Sequence, residues 1–319
     1  MRRPRSRRCW PRRRSDGREE ARGAAALRGK NRLLYAFLLI PTVYLLAVVG
    51  FPVFYNLLMS VQEVNLGNIA DLARPFVGLE NYATAVHDPT FRKAATNTVV
   101  FVAVNVLGQA GLGLVVAVCF ARNFAGANYL RGLLLVAWIL PGLVVGTVWK
   151  WLFATQYGAI NFLLTRVGLV SAPLHWLSDP SMAMTALNIA HVWFGMPFSM
   201  ILIAAALTGI PDEQYEAAAL DGAGAAARFR YITLPAIAPA LIAVACLVTI
   251  SALRVFDVIF ALTQGGPVDS TNVLPLLSYQ ASFQDFDFGR GAAIGMFAFF
   301  AVFAVALAYV RTLRDEAAA

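Results

Sequence analysis

Long apolar runs separated by short polar stretches set the pattern of this chain. Leu33 to Gln62 carries no charged side chain, and comparable runs extend from about Ala94 to Phe120, Gly132 to Phe153, Met182 to Leu207, Ala236 to Leu262 and Gly291 to Val310. A helix rises 1.5 Å per residue and needs about 20 residues to cross about 30 Å of hydrocarbon, so each run predicts a membrane-spanning helix. The expected fold class is an all-α membrane protein with six transmembrane helices over residues 33–314, between a basic tail (1–32) and a short C-terminal tail (315–319). Pro41 and Pro52 in the first run and Pro141-Gly142 in the third predict kinks, which neighbouring helices make tolerable by satisfying the freed carbonyls.

The stretch between the fourth and fifth runs, Pro211 to Pro235, breaks the pattern. It is polar, rich in alanine and interrupted by glycine, and so does not belong in lipid. Composition alone reads it as a solvated loop. Its finer pattern predicts two short helices with a bend. Pro211 suits a first helical position, and Asp212, Glu213 and Glu216 complement the helix dipole. Asp221-Gly222-Ala223-Gly224 then favours a turn, and Ala225 to Tyr231 restart a helix. The face made by Ala217, Ala218 and Ala219 has so little bulk that another protein's backbone can approach it closely.

Composition supports membrane embedding, with 59% hydrophobic and 14% charged residues. The net charge of +8 belongs to the first 32 residues, which hold thirteen of the 26 Lys and Arg; beyond them 13 basic and 15 acidic groups leave a net of −2. Residues 1–32 are too charged to bury a core, so disorder is expected there, with anionic headgroups rather than nucleic acid as the contact. Cys9, Cys119 and Cys246 form no disulfide framework. The three His show no metal-ligand spacing, and no phosphate-binding glycine loop ends in Gly-Lys-Ser/Thr, so any ATP consumed is hydrolysed on another chain. Asn105 and Gln109, one turn apart in the second run, either bond a neighbouring helix or line a solute path. His191 is a functional candidate by its intramembrane position, against the plainer reading of a neutral ring bonded to a neighbour. Arg254 and Asp257, three apart in the fifth run, are placed to pair.

Glu216-Ala217-Ala218, Asp221-Gly222-Ala223, Phe229, Ile232, Leu234 and Pro235 resemble, at matching spacing, the EAA motif of permease subunits of bacterial ATP-binding-cassette importers. Phe76 to Tyr82, Asp88-Pro89-Thr90-Phe91, the Trp193/Gly195/Pro197/Phe198 pattern and the exit Phe256 to Pro267 are similar to the carbohydrate-uptake branch, on its MalF/UgpA-like side. The resemblance implies a type I importer permease fold whose loop 211–235 is a coupling helix seated in a cleft of a cytoplasmic ATPase. Glu216, Ala217, Ala218, Asp221, Gly222, Ala223 and Pro235 are then the coupling residues, with Glu216 expected to meet a basic group of the ATPase. It further implies a second homologous permease, a dimer of ATPases, an extracytoplasmic solute-binding protein and a lipid environment. No cofactor is expected on this chain, ATP and Mg²⁺ being held by the ATPase.

A solute path is expected between spans 4 and 5, with Trp193, Gly195 and Phe198 offering aromatic faces and space and Ser251, Ala252 and Val255 a stripe of small residues. The same residues serve equally as helix-packing material. Placing the N- and C-termini in the cytoplasm of a bacterial inner membrane puts Arg122, Arg131, Arg228, Arg230, Arg311 and Arg314 inside. The rival solutes are a polyol or a glycerol phosphate. The rival class is an ion-driven secondary transporter, for which buried acidic groups in several spans are wanting.

Overall fold

A computed structural model describes residues 37–71, 73–121 and 124–318. The tail at 1–32, Arg122 and the side chain of Arg314 lie outside the described residues. The chain divides into a first unit ending at Asn56 and a second beginning at Leu57.

Helix α1 (Phe37–Ser60) is apolar along its length and contains a π turn at Leu46–Gly50, two residues short of Pro52. A proline ring collides with the carbonyl four residues back, and the wider π turn gives that carbonyl room. Beyond Ser60 a polar connecting segment carries α2 (Glu80–His87), held by Asn81, whose amide donates to the carbonyls of Ser60 (3.0 Å) and Gln62 (2.9 Å). The next span is α3 (Pro89–Ala121). It is followed by α4 (Ala127–Ile139) and α5 (Gly142–Leu152), which bend by 103° at Leu140-Pro141. The single third span expected over 132–153 is thus a broken pair, because Pro141 holds an extended backbone.

A small helix α6 (Ala159–Arg166) and a loop lead to α7 (Pro180–Leu207). Asp179 caps α7, its Oδ1 accepting from the Ser181 backbone N–H (2.8 Å) and hydroxyl (2.7 Å). Those two bonds hold its carboxyl below the usual carboxylate range. Asn161 pins the intervening loop: its amide donates to Leu174 O (2.9 Å), and its Oδ1 accepts from Leu174 N (3.1 Å) and Trp176 Nε1 (3.0 Å). Replacing Asn161 by Leu leaves those groups unpaired, the buried Trp176 indole N–H among them, and is expected to cost about 2 kcal/mol. The check is the thermal midpoint of the purified chain, and an unchanged midpoint refutes the role.

Next come α8 (Asp212–Leu220), α9 (Ala225–Leu253), α10 (Asp257–Leu262), α11 (Leu274–Phe283) and α12 (Phe288–Ala318). Two differences from expectation stand out. First, the polar stretch does not end before the fifth span: α9 runs from Ala225 without a break, crossing Pro235 by a second π turn at Phe229–Thr233. Second, the fifth span stops at Leu253, and the chain unwinds at Arg254–Phe256 before α10. Arg254 and Asp257 are therefore not one helical turn apart and form no ion pair; the ion pair among the described residues is Arg290 with Asp88.

Among the described residues, five helices are long and apolar enough to span a membrane, and α4 with α5 makes a sixth. No strand occurs among them beyond two isolated bridges. In the unit from Leu57, small residues set the closest crossings. A Cβ on Gly113 of α3 would lie 2.8 Å from Ser199 Cβ and 3.0 Å from Met200 N of α7. A Cβ on Gly146 of α5 would lie 2.6 Å from Ala261 Cβ of α10. Such seams are the usual source of helix association in lipid, where apolar burial supplies no preference for protein neighbours.

Candidate functional site

Two places concentrate unusual geometry, an elbow outside the spans and a cavity within them. At the elbow, α8 contributes no buried residue, and Leu220 is 91% exposed. Its end is a Schellman motif: Ala223 N donates to Ala218 O (2.8 Å) and Gly222 N to Ala219 O (3.1 Å), with Gly222 at φ +77°. That is the left-handed position for which glycine has no Cβ penalty, so Asp221-Gly222-Ala223 ends one helix while satisfying its last carbonyls. Gly224 then leads into α9, its carbonyl accepting from Arg228 N (3.0 Å). Tyr215 Oη lies 2.9 Å from Thr233 Oγ1, tying α8 to the foot of α9. Glu216, Ala217, Asp221, Gly222 and Pro235 are exposed, and Ala218 and Ala223 half-buried.

The cavity, about 440 Å³, forms where the two broken spans meet. Gly142, at the α4/α5 break, sits where a Cβ would lie 3.0 Å from Asp257 Cβ at the start of α10. His191 and Phe194 of α7, Ser251 of α9, and Arg254 to Val258 in and after the unwound segment line the space. Irregular backbone at membrane depth is tolerated where it lines such a cavity, because its unpaired amides can be met there.

Behind the cavity wall a polar network joins α3 to α7. Asn105 Nδ2 donates to Asn188 Oδ1 (2.9 Å), His191 Nδ1 lies 2.7 Å from Asn105 Oδ1, and Gln109 Nε2 donates to the same Oδ1 (3.1 Å). All four side chains are buried. Because a carboxamide oxygen only accepts, Nδ1 carries the hydrogen, and Nε2 is the ring nitrogen without a protein partner. Asn105 and Gln109 thus bond a neighbouring helix. His191 does so too, and its ring also borders the cavity.

Of the path residues expected from sequence, Ser251 and Val255 line this cavity. The others lie elsewhere. Trp193 packs edge-on against Trp149 at 5.5 Å, Phe198 stacks on Trp138 at 5.2 Å, Gly195 faces the Gln109 side chain, and Ala252 is buried in the core with Ile259. Successive helical residues turn by about 100°, so His191 and Phe194 share a face that Trp193 and Gly195 cannot. The lining also holds Arg254 and His191, the latter a functional candidate by its intramembrane position, together with Phe194, Phe256 and Asp257, which the sequence reading did not place on a path; the three-residue spacing of 191 and 194 was the available signal.

Several apolar spans, two of them broken around a cavity, together with a capped helix standing outside them, define a polytopic transport component. The chain belongs to the family described as the binding-protein-dependent transport system inner membrane component, whose model matches residues 109–315. It is 37% identical over 241 residues to the trehalose/maltose transport system permease protein MalF of Thermococcus litoralis, covering 76% of this chain and 81% of that protein. It is 33% identical over 287 residues to the sulfoquinovosyl glycerol transport system permease protein SmoG of Agrobacterium fabrum, covering 90% of this chain and 92% of that protein. Its fold is similar to a chain of a bacterial ABC transporter involved in the import of the acidic polysaccharide alginate. The TM-score is 0.76 at 20% identity, with 90% of this chain and 96% of that chain covered.

Proposed function

We propose that this chain is the membrane-spanning permease subunit of an ATP-driven, binding-protein-dependent importer for a sugar or oligosaccharide, with its termini on the cytoplasmic side of a bacterial inner membrane. Relatives named for trehalose/maltose and sulfoquinovosyl glycerol transport support the solute class. It works beside a second homologous permease, two ATPase subunits that hold ATP and Mg²⁺, and an external solute-binding protein.

One observation carries the mechanism: α9, a single helix of 29 residues, runs from the elbow to the cavity wall. The face of α8 around Glu216, Ala217 and Ala218 is open for an ATPase cleft, and the Tyr215–Thr233 contact makes α8 and the foot of α9 move together. When ATP closes the ATPases, the elbow shifts, and α9 carries that displacement to Ser251 and the unwound Arg254–Phe256 segment. Cytoplasmic binding energy then biases which side the cavity opens to. The cavity chemistry suits a polyhydroxylated solute. It combines aromatic faces (Phe194, Phe256) with a hydroxyl (Ser251), a guanidinium donor (Arg254) and a carboxylate acceptor (Asp257). Asp257 disfavours a glycerol phosphate, whose charge Arg254 alone would suit.

Val255 offers the test. In a Cys9→Ser/Cys119→Ser background, which removes the thiol of the charged tail and an exposed thiol of α3, a Val255→Cys thiol should be labelled by a small aqueous maleimide. The solute carried should slow that labelling at least about threefold, as expected for a site mostly occupied. Labelling indifferent to solute would remove Val255 from the path. Uptake driven by an ion gradient without any ATPase would overturn the importer reading itself.

A further inference from the structure

A second and larger cavity, about 750 Å³, lies at the elbow end of the spans. Its walls are the last turn of α3, the first turns of α4, the last turns of α7 and the start of α8. Most of the lining is apolar, including Ala117, Met200, Ala204 and Ala205. Two charged groups share it, Arg131 and Asp212, and they form no ion pair with each other.

Arg131 is incompletely used by the protein. Its Nη2 donates to Phe120 O at 2.7 Å, which caps α3, and its guanidinium lies over the Phe120 ring at 5.5 Å. Nε is buried without an acceptor. A guanidinium presents a fork suited to phosphate oxygens, and a buried unpaired N–H there is costly. Asp212 is exposed at the mouth of the same cavity and accepts no side-chain hydrogen bond. A cation and an anion held apart around one space, with an apolar trough running into the spans, match a ligand that is itself zwitterionic and carries a hydrocarbon tail.

We propose that this cavity binds a phosphoethanolamine-headed phospholipid: phosphate on Arg131, ammonium at Asp212, and an acyl chain along Ala117, Met200 and Ala205. The site bridges α3, α4, α7 and α8, so the lipid braces the elbow against the spans. An anionic lipid without an amine satisfies Arg131 but meets Asp212 unfavourably. A choline headgroup brings no N–H donor to the carboxylate.

The test is native mass spectrometry of the full-length chain, alone and in its assembled transporter, titrated with phosphatidylethanolamine, phosphatidylglycerol and phosphatidylcholine of matched acyl chains. Wild type should retain phosphatidylethanolamine about fivefold better than phosphatidylglycerol, equivalent to about 1 kcal/mol. Asp212→Asn should remove that preference, and Arg131→Gln should weaken retention of both. Arg131→Gln also removes the α3 cap, so Ala205→Phe, which fills the trough and leaves both charges in place, should independently lose the lipid. Equal retention of the three lipids by wild type overturns the proposal, as does unchanged retention in Arg131→Gln or Ala205→Phe. Loss of the lipid from wild type on assembly assigns the trough to a partner helix and overturns it as well.

Discussion

Gly222→Trp is expected to lower solute uptake at least about tenfold, a coupling loss of about 1.4 kcal/mol or more, while the chain still inserts and the assembled ATPases still turn over. Two structural facts separate this outcome from misfolding. Gly222 sits at φ +77°, where a side chain costs about 1–2 kcal/mol, and a Cβ there meets nothing of this chain within 4 Å. The local penalty is therefore modest, and the indole projects away from this chain into open space, where a seated partner would meet it. Gly222→Asn is the companion variant, since asparagine tolerates the left-handed conformation with far less bulk. Uptake should fall in the order of side-chain size, glycine to asparagine to tryptophan. Measured in reconstituted vesicles, normal uptake by the tryptophan variant would separate the elbow from the motor.

Gly113→Leu is expected to be the most damaging change within the spans. The added side chain meets Ser199 and the Met200 backbone N, and backbone cannot swing aside as a side-chain tip can. Overpacking of this kind costs about 1–3 kcal/mol or more. Breaking the α3–α7 seam also parts Asn105 and Gln109 from Asn188 and His191, although membrane hydrogen bonds average only about 0.6 kcal/mol each, so the steric term decides. Gly111→Leu, two residues away, meets nothing within 4 Å and should be tolerated. Thermal midpoints of the two variants in detergent distinguish them; equal midpoints would remove the seam from the account of stability.

That pair of glycines shows how far the sequence could be read. Gly108, Gly111 and Gly113 together announce close helix contact, but which of them makes it depends on the neighbour's position. Gly108 and Gly113 press on α7, and Gly111 does not. The spans were legible because uninterrupted apolar length has few other uses, and Asp221-Gly222-Ala223 was legible because a left-handed C-cap has its own composition. The unwinding at Arg254–Phe256 was not, since Ser251-Ala-Leu-Arg-Val-Phe-Asp contains neither proline nor glycine. Its cause is tertiary: α5 crosses α10 closely at Gly146, and Gly142 abuts Asp257, so the chain leaves the line of α9 to make that contact. The expected Arg254–Asp257 pair failed for the same reason, and the cavity they now face could not be drawn from periodicity. Trp193 and Phe198 stood out as aromatic, yet their rings are engaged by Trp149 and Trp138.

The π turn at Phe229–Thr233 makes the spacing between Gly224 and Pro235 a matter of count as well as chemistry. Such a turn holds one residue more than an α-helical turn, so excising any one of its five would let the ladder close normally. Because the surplus residue is held within a single turn, everything upstream would then keep about its present direction and rise. A deletion in the α-helical turns on either side would instead swing the outer helix about the axis by about 100°, keeping every atom of its own surface and pointing it at the wrong quadrant.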